Sequence, residues 1–229
     1  MAPLLNAPVT TTHEDAATAA ARFRTEGYLP LPGLLTEEGL TELRGEARRL
    51  EAIARRRDFD MRCMDGSPRH MTTLGGQDIA THSKLIPRLY ADDGLRAAVS
   101  AAAGERVLAV PDPLERHVLN ILHRPGDTHG AHTDDYPYAL VIFLEAPSGA
   151  DMGGLLEYVP RAAALADLDT HRCLTAHHRP KDAYLLRSDT TAHRVTPLAG
   201  PDARRTVLNF AYTNATTRPQ GASARELYA

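Results

Sequence analysis

In the segment Thr128-His129-Gly130-Ala131-His132-Thr133-Asp134-Asp135-Tyr136, an imidazole and a carboxylate, His132 and Asp134, stand two positions apart between two runs of strand-forming residues. Extended backbone points residues i and i+2 to the same side, so this pair can grip one metal ion. A third ligand is required. His193, 59 residues after Asp134, supplies it in the setting Ser188-Asp189-Thr190-Thr191-Ala192-His193-Arg194-Val195, just beyond another predicted strand. Two neutral imidazoles and one carboxylate occupy one face of an octahedron and leave three adjacent positions open, the donor set of non-haem Fe(II) oxygenases. Zinc hydrolases of similar ligand type commonly carry HExxH, which this chain lacks. The other eight histidines, His13, His70, His82, His117, His123, His171, His177 and His178, read individually as surface or structural residues.

Arg204 and Arg205 follow His193 by eleven and twelve residues and open the run RRTVLNFAY. A buried guanidinium there can hold the far carboxylate of a dicarboxylic cosubstrate whose 2-oxo acid end chelates iron. Arg204-x-Thr206 matches the Arg-x-Ser/Thr pattern widespread in enzymes using that cosubstrate, whereas strand alternation puts Arg205 on one face with Asn209. Both arginines stand as candidates, and the one not used is expected in a surface ion pair.

Such a site needs strands to carry it. After residue 107 the sequence breaks into short candidate strands at 116–122, 138–144, 155–159, 183–187 and 206–212, separated by turn signals such as Pro125-Gly126-Asp127 and Gly153-Gly154. Before that point the pattern is helical. A helix over 14–25 with Ala17, Ala20, Ala21 and Phe23 on one face should follow a loose lead-in to about residue 12 and end at Gly27. A prolyl extended piece (28–35) follows, then a helix capped by Thr36 and carrying Leu40, Leu43, Ala47 and Leu50, and another helix over 93–103. Residues 58–83, rich in Gly, Thr, Asp and Met, read as a long loop over the site, a candidate lid. Helices followed by antiparallel strands predict an α+β chain: a double-stranded β-helix, the cupin-like jelly roll, with N-terminal helices packed on its major sheet. The expected organisation is one domain over 1–229, with a mainly helical part (1–106), a jelly-roll core (107–216) and a tail (217–229).

Composition narrows the function classes. The chain has 229 residues, 43% hydrophobic and 24% charged, as soluble enzymes do, and its longest apolar run is too short to span a bilayer. A net charge of −3 with scattered basic residues, apart from Arg55-Arg56-Arg57, argues against nucleic acid as a partner. Two cysteines, Cys63 and Cys173, and no basic-then-apolar leader fit a cytoplasmic location. Oligomeric state is not legible.

Taken together, these residues resemble the Fe(II)/2-oxoglutarate-dependent dioxygenases, and FRTEGYLPLPGLLTEEGLTEL is similar to the helix, strand and helix that precede the jelly roll in many of them. HRPGDTHGAHTDDYPYALVIFLEAP, GGLLEYVP and DAYLLRSDTTAHRVTPL resemble the BesD-type family, which acts on free amino acids and includes lysine halogenases and hydroxylating relatives. In the halogenating members a glycine replaces the acid of the HxD motif and makes room for chloride; here Asp134 is present, which implies hydroxylation. The resemblance implies Fe(II), 2-oxoglutarate and O2 as cofactors. It also implies a substrate cradle at Arg69, Glu115, His129, Asp135 and Asn209, with Asn214 or Thr216 as alternatives to the last. Glu115 and Asp135 suit ammonium groups and Arg69 a carboxylate, so the implied substrate is a small molecule, a free cationic amino acid such as L-lysine, hydroxylated at C4. The rivals are a hydroxylase or desaturase of ornithine or arginine, and a cupin-like metal sensor without turnover.

Overall fold

The computed structural model describes residues 3–6, 16–217 and 223–228, so the lead-in and the predicted start of the first helix at 14 lie outside the described residues. The elements run α1 (Ala16–Glu26), β1 (Tyr28–Leu31), α2 (Glu37–Glu51), β2 (Arg55–Met61), β3 (Ser67–Leu74), α3 (Gly76–His82), α4 (Leu85–Tyr90) and α5 (Asp93–Ala103). They continue through β4 (Leu108–Ala109), β5 (His117–Leu122), β6 (Thr128–His132), β7 (Tyr138–Glu145), β8 (Leu156–Val159) and β9 (Leu174–Ala176). Strands β10 (Ala183–Arg187), β11 (Ala192–Val195) and β12 (Arg205–Thr213) and helix α6 (Ser223–Tyr228) complete the order.

Helix α2 forms where expected: the Thr36 side chain accepts from the Gly39 amide, Glu37 and Glu38 occupy the first turn, and Leu40, Leu43, Ala47 and Leu50 form the buried face. Asp92 caps α5 in the same way, and Gly104, in the left-handed region at φ 74°, ends it. In α1 the buried face is Ala19, Ala20 and Phe23, while Ala17 and Ala21 are exposed, a correction to the expected stripe.

The strands form one antiparallel sheet in the order β1-β10-β7-β12-β5-β3-β6-β11-β8-β9, with β2 added on β3 and β4 on β12. The sheet folds over itself, so that Leu156 and Tyr158 of β8 pack against Val141, Phe143, Tyr184, Leu186 and Val207 from β7, β10 and β12. Strand alternation then divides the residues cleanly. Leu140, Ile142, Leu185, Leu208 and Phe210 face the helices and join the α2 and α5 leucines in the main core, whereas their alternate neighbours face the interior of the fold. This is the expected jelly roll with helices packed on its major sheet.

The region 58–83 departs from expectation. It holds strands β2 and β3 and helix α3, and β3 pairs with β2, β5 and β6, so it is part of the sheet and not a lid loop. Its sequences, RRRDFDM and SPRHMTTL, lack apolar alternation because neighbouring strands on both edges of β3, and not an apolar face of its own, hold it. Strands β1, β2 and β3 all lie before residue 106 yet belong to the same sheet as the later strands. No helix among the described residues is long and apolar enough to cross a membrane.

Candidate active site

The β6–β11 ladder brings His132 and His193 directly opposite each other, and their ring centroids lie 4.1 Å apart. Each Nδ1 sits against the carbonyl two residues earlier, His132 on Gly130 at 2.7 Å and His193 on Thr191 at 2.9 Å. With Nδ1 donating, each Nε2 presents its lone pair inward, the arrangement a metal-ligating histidine needs. Asp134 lies just past β6 and is tied by its amide to the Ser188 carbonyl at the end of β10. Its Oδ1 is 3.7 Å from His132 Nε2 and 4.0 Å from His193 Nε2. One ligand atom from each of the three residues lies within 4.8 Å of the others, and among the described residues no other group of three or more His, Cys, Asp or Glu side chains converges in this way. Burial first, then neighbouring cationic groups, push the His132 pKa well down, so the ring is neutral and free to ligate. The donor set fits Fe(II).

Close approach of backbones builds the wall beside the ligands. A Cβ at Gly130 would stand 2.4 Å from Ser67 Oγ and 2.6 Å from the Pro68 carbonyl, so only glycine lets β3 lie against β6 here. That contact carries Arg69 into the interior, 1% exposed and opposite His129 in the ladder. His129 stacks on His132 with centroids 4.1 Å apart, and burial pushes its pKa well down as well.

Arg69, Glu115, His129, His132, Asp134 and Asn209 line one cavity of about 40 Å³, the space of a few waters. Val118 and Ala211 give it apolar wall, and Met64, Leu227 and Tyr228 close it. The predicted cradle therefore assembles, except that Asp135 stands beside the cavity and not in its lining, accepting a hydrogen bond from Ser223 Oγ at 2.8 Å. Asn209 lines it, whereas Asn214, hydrogen-bonded to Glu105, Thr216 and Thr217, and Thr216 are not in its lining.

The charges in this cavity are uncompensated. Arg69 spends Nη1 on Ser67 Oγ, at 2.9 Å, and the Pro68 carbonyl, with no carboxylate partner among the described residues; burial lowers its pKa to about 10. Glu115 has no ion pair or side-chain hydrogen bond among them, and burial, reinforced by Asp135 and Asp134, pushes its pKa up to about 8. Arg69 Nε, His129 Nε2, Arg205 Nε and Asn209 Oδ1 are all buried without a partner among the described residues. Orphaned buried groups of this kind mark a site built for a ligand.

Glu115 gives a pH prediction for the ligand-free protein. A carboxyl whose folded pKa exceeds its unfolded value binds protons preferentially in the native state, so stability falls as pH rises from about 4.5 through about 8. Glu115→Gln should therefore leave the melting temperature nearly unchanged at pH 5 and raise it by a few degrees at pH 8, at roughly 2–4 °C per kcal/mol for a chain of this size. Equal shifts at both pH values would show that Glu115 is not the titrating group.

The two arginines part company. Arg205 is 4% exposed on the interior face of β12, with its Cζ 4.9 Å from the centre of the Phe143 ring and its guanidinium beside the Tyr184 phenol. Arg204, on the other side, is held by Glu51 at 2.6 Å and Glu145 at 2.7 Å. Arg204 thus makes an ion-pair network of the kind expected of one of the two arginines. Tyr228, Leu227 and Ser223 were not legible in the sequence: α6 is short, and only the tertiary structure brings it over the cavity.

Comparison with solved structures finds the same fold in several enzymes. The non-heme alpha-ketoglutarate-dependent carbocyclase SnoK from nogalamycin biosynthesis superposes with a TM-score of 0.71 at 19% identity, over 95% of this chain and 92% of that one. The epimerase SnoN of the same pathway gives 0.69 at 21% identity, over 90% and 86%. HygX from Streptomyces hygroscopicus, with nickel and 2-oxoglutarate bound, gives 0.63 at 16% identity, over 90% and 88%. No curated protein sequence matches the chain. A family model described as Halogenase D matches residues 11–227, and with nearly the whole chain covered, the protein belongs to the Halogenase D family.

Proposed function

We propose that the protein is an Fe(II)- and 2-oxoglutarate-dependent hydroxylase of a free cationic amino acid, with L-lysine, attacked at C4, as the first candidate. The observation that carries this reading is the pairing, in one cavity beside the His132-Asp134-His193 cluster, of a buried acid without a cation and a buried arginine without an anion among the described residues. Buried charges cost several kcal/mol unless paired, so the missing partners are those of a zwitterionic ligand. Asp134 supports hydroxylation over halogenation within the family, because its carboxylate fills the position a halide would take.

When bound, iron with 2-oxoglutarate and O2 would supply oxidative decarboxylation to succinate and CO2 together with oxygen insertion into a C–H bond. The chain's own contribution is positional. His132, Asp134 and His193 hold the ion, and Arg205, braced by Tyr184 and Phe143, takes the far carboxylate of 2-oxoglutarate. Arg69 takes the substrate carboxylate, Glu115 takes an ammonium group, Asp135 adds its negative charge from beside the cavity, and His129 and Asn209 offer their orphaned atoms to the remaining polar groups. Val118, Ala211 and Leu227 keep water from the reacting bond.

The test is O2-dependent succinate formation by the iron-loaded protein against a panel of free amino acids, with products read by mass spectrometry. Lysine should be turned over well, and ornithine, one methylene shorter, should lose about 10- to 200-fold in kcat/KM if length alone decides. Norleucine should fare far worse, because it leaves an acid unpaired. Equal turnover of lysine and norleucine would sink the lysine assignment, and absence of succinate with every amino acid would sink the enzyme reading in favour of a sensor.

A further inference from the structure

We propose that Ser188 is a positioning residue of the metal site: its buried hydroxyl turns from the Tyr136 carbonyl to the Asp134 carboxylate oxygen that does not ligate, and so fixes how that carboxylate meets the metal. This role lies beyond the substrate reading above and rests only on its assignment of His132, Asp134 and His193 as ligands.

The three ligands are not held alike. His132 and His193 stand opposite each other in the β6–β11 ladder, and each ring is fixed further by the bond between its Nδ1 and a backbone carbonyl. Asp134 lies past the end of β6, beyond that ladder. The segment 133–137 is tied instead to a single residue that directly follows β10 and is fully buried, Ser188. The Asp134 amide donates to the Ser188 carbonyl at 2.9 Å, and the Ser188 amide donates to the Pro137 carbonyl at 3.1 Å. Ser188 Oγ donates to the Tyr136 carbonyl at 2.9 Å. Two of these bonds belong to the backbone and survive substitution, so the hydroxyl is what the side chain adds.

That hydroxyl has a second acceptor within reach. Asp134 Oδ1 is the oxygen that faces both Nε2 atoms, so ligation through it leaves Oδ2 in need of a donor. His193 and Arg69 act on the Asp134 carboxylate through their charge, whereas the Ser188 hydroxyl stands beside it and favours the ionised form against burial. A hydroxyl hydrogen rotates about the Cβ–Oγ bond, and one serine can therefore serve either the Tyr136 carbonyl or Oδ2. A hydrogen bond to an ionised acceptor is roughly twice as strong as one to a neutral carbonyl, which sets the direction of the turn once a metal holds Asp134 as its carboxylate.

The experiment is calorimetric titration of Ni(II) into the full chain and into its Ser188→Ala, Asp134→Gly and doubly substituted variants, with thermal unfolding followed alongside. Ser188→Ala is expected to weaken Ni(II) binding about 10- to 100-fold, as loss of a group that orients a ligand does. In the Asp134→Gly background the same substitution should change affinity less than about threefold, because no carboxylate is left to orient. The two histidines that the ladder keeps opposite each other still bind Ni(II) there, so both backgrounds can be measured. Equal weakening in the two backgrounds would overturn the proposal, since the hydroxyl would then serve the packing around the histidines. Unchanged affinity of Ser188→Ala in the otherwise unaltered chain would overturn it as well. Should the alanine variant fail to unfold cooperatively, Ser188→Cys, close in shape and a weak donor, takes its place with the same expected pattern. Ni(II) bound as tightly by Asp134→Gly as by the unaltered chain would refute the ligand assignment itself, whereas weakening by Asp134→Gly with none by Ser188→Ala refutes the role of Ser188 alone.

Discussion

Asp134→Gly is expected to abolish hydroxylation, with succinate formation falling at least a hundredfold and Fe(II) affinity falling with it. The carboxylate is the sole anionic member of the converging cluster, and its loss leaves two imidazoles that the strand ladder still holds opposite each other. Loss of a group that only orients a ligand typically costs 10- to 100-fold, so loss of a ligand should exceed that range. The strands should survive, because what fixes residue 134 in the fold is the hydrogen bond its backbone N–H donates to the Ser188 carbonyl, which glycine keeps. The vacated position is open to chloride. Chlorination does not follow from that opening alone, since the outcome must also be steered from hydroxyl to halide by groups around the ligands. Anaerobic Fe(II) titration and product mass spectrometry with and without chloride are the measurements, and full hydroxylase activity in the variant would show that Asp134 is not a needed ligand.

The second large effect separates the two arginines. Arg205→Met should raise the dissociation constant for 2-oxoglutarate by roughly 30- to 1000-fold, the effect of removing one partner of a buried charge pair, at about 2–4 kcal/mol. Arg204→Ala should leave that constant within about threefold, because its guanidinium is already engaged by Glu51 and Glu145. Its cost should appear instead as a small loss of thermal stability, as for a partly exposed ion-pair network. The reverse pattern would reassign the cosubstrate contact to Arg204.

How much of this was legible in the sequence differs by element and for physical reasons. The metal cluster was, because HxD at a strand edge encodes its own geometry and the second histidine follows a recognisable strand. Strand alternation grouped Arg205 with Asn209 because β12 runs in unbroken register against β5 from Arg205 to Phe210, which keeps both residues on the interior side. Strands β2 and β3 were not legible: their residues are charged or small, and it is the ladders with β5 and β6 that make them strands. Arg69 was named from resemblance alone, and its burial depends on a neighbouring chain having no side chain at Gly130, a relation that sequence spacing cannot express. Tyr228 lies beyond the last strand with no pattern pointing back to the site.

The place of β3 in the sheet has a consequence for any attempt to divide the chain. This strand carries β2 along one edge and, along the other, both β6 at Arg69–His70 and β5 at Thr72–Leu74, so it bridges the half of the sheet that packs on the helices and the half that carries His132 and His193. A fragment starting at residue 107 would retain all three metal ligands yet expose unpaired edges on β5 and β6, together with the outer face of Leu140, Ile142, Leu208 and Phe210. Such a fragment is expected to aggregate, and a separately expressed 1–106 piece is expected to rescue it by strand addition and helix docking, restoring Fe(II) binding only when both are present.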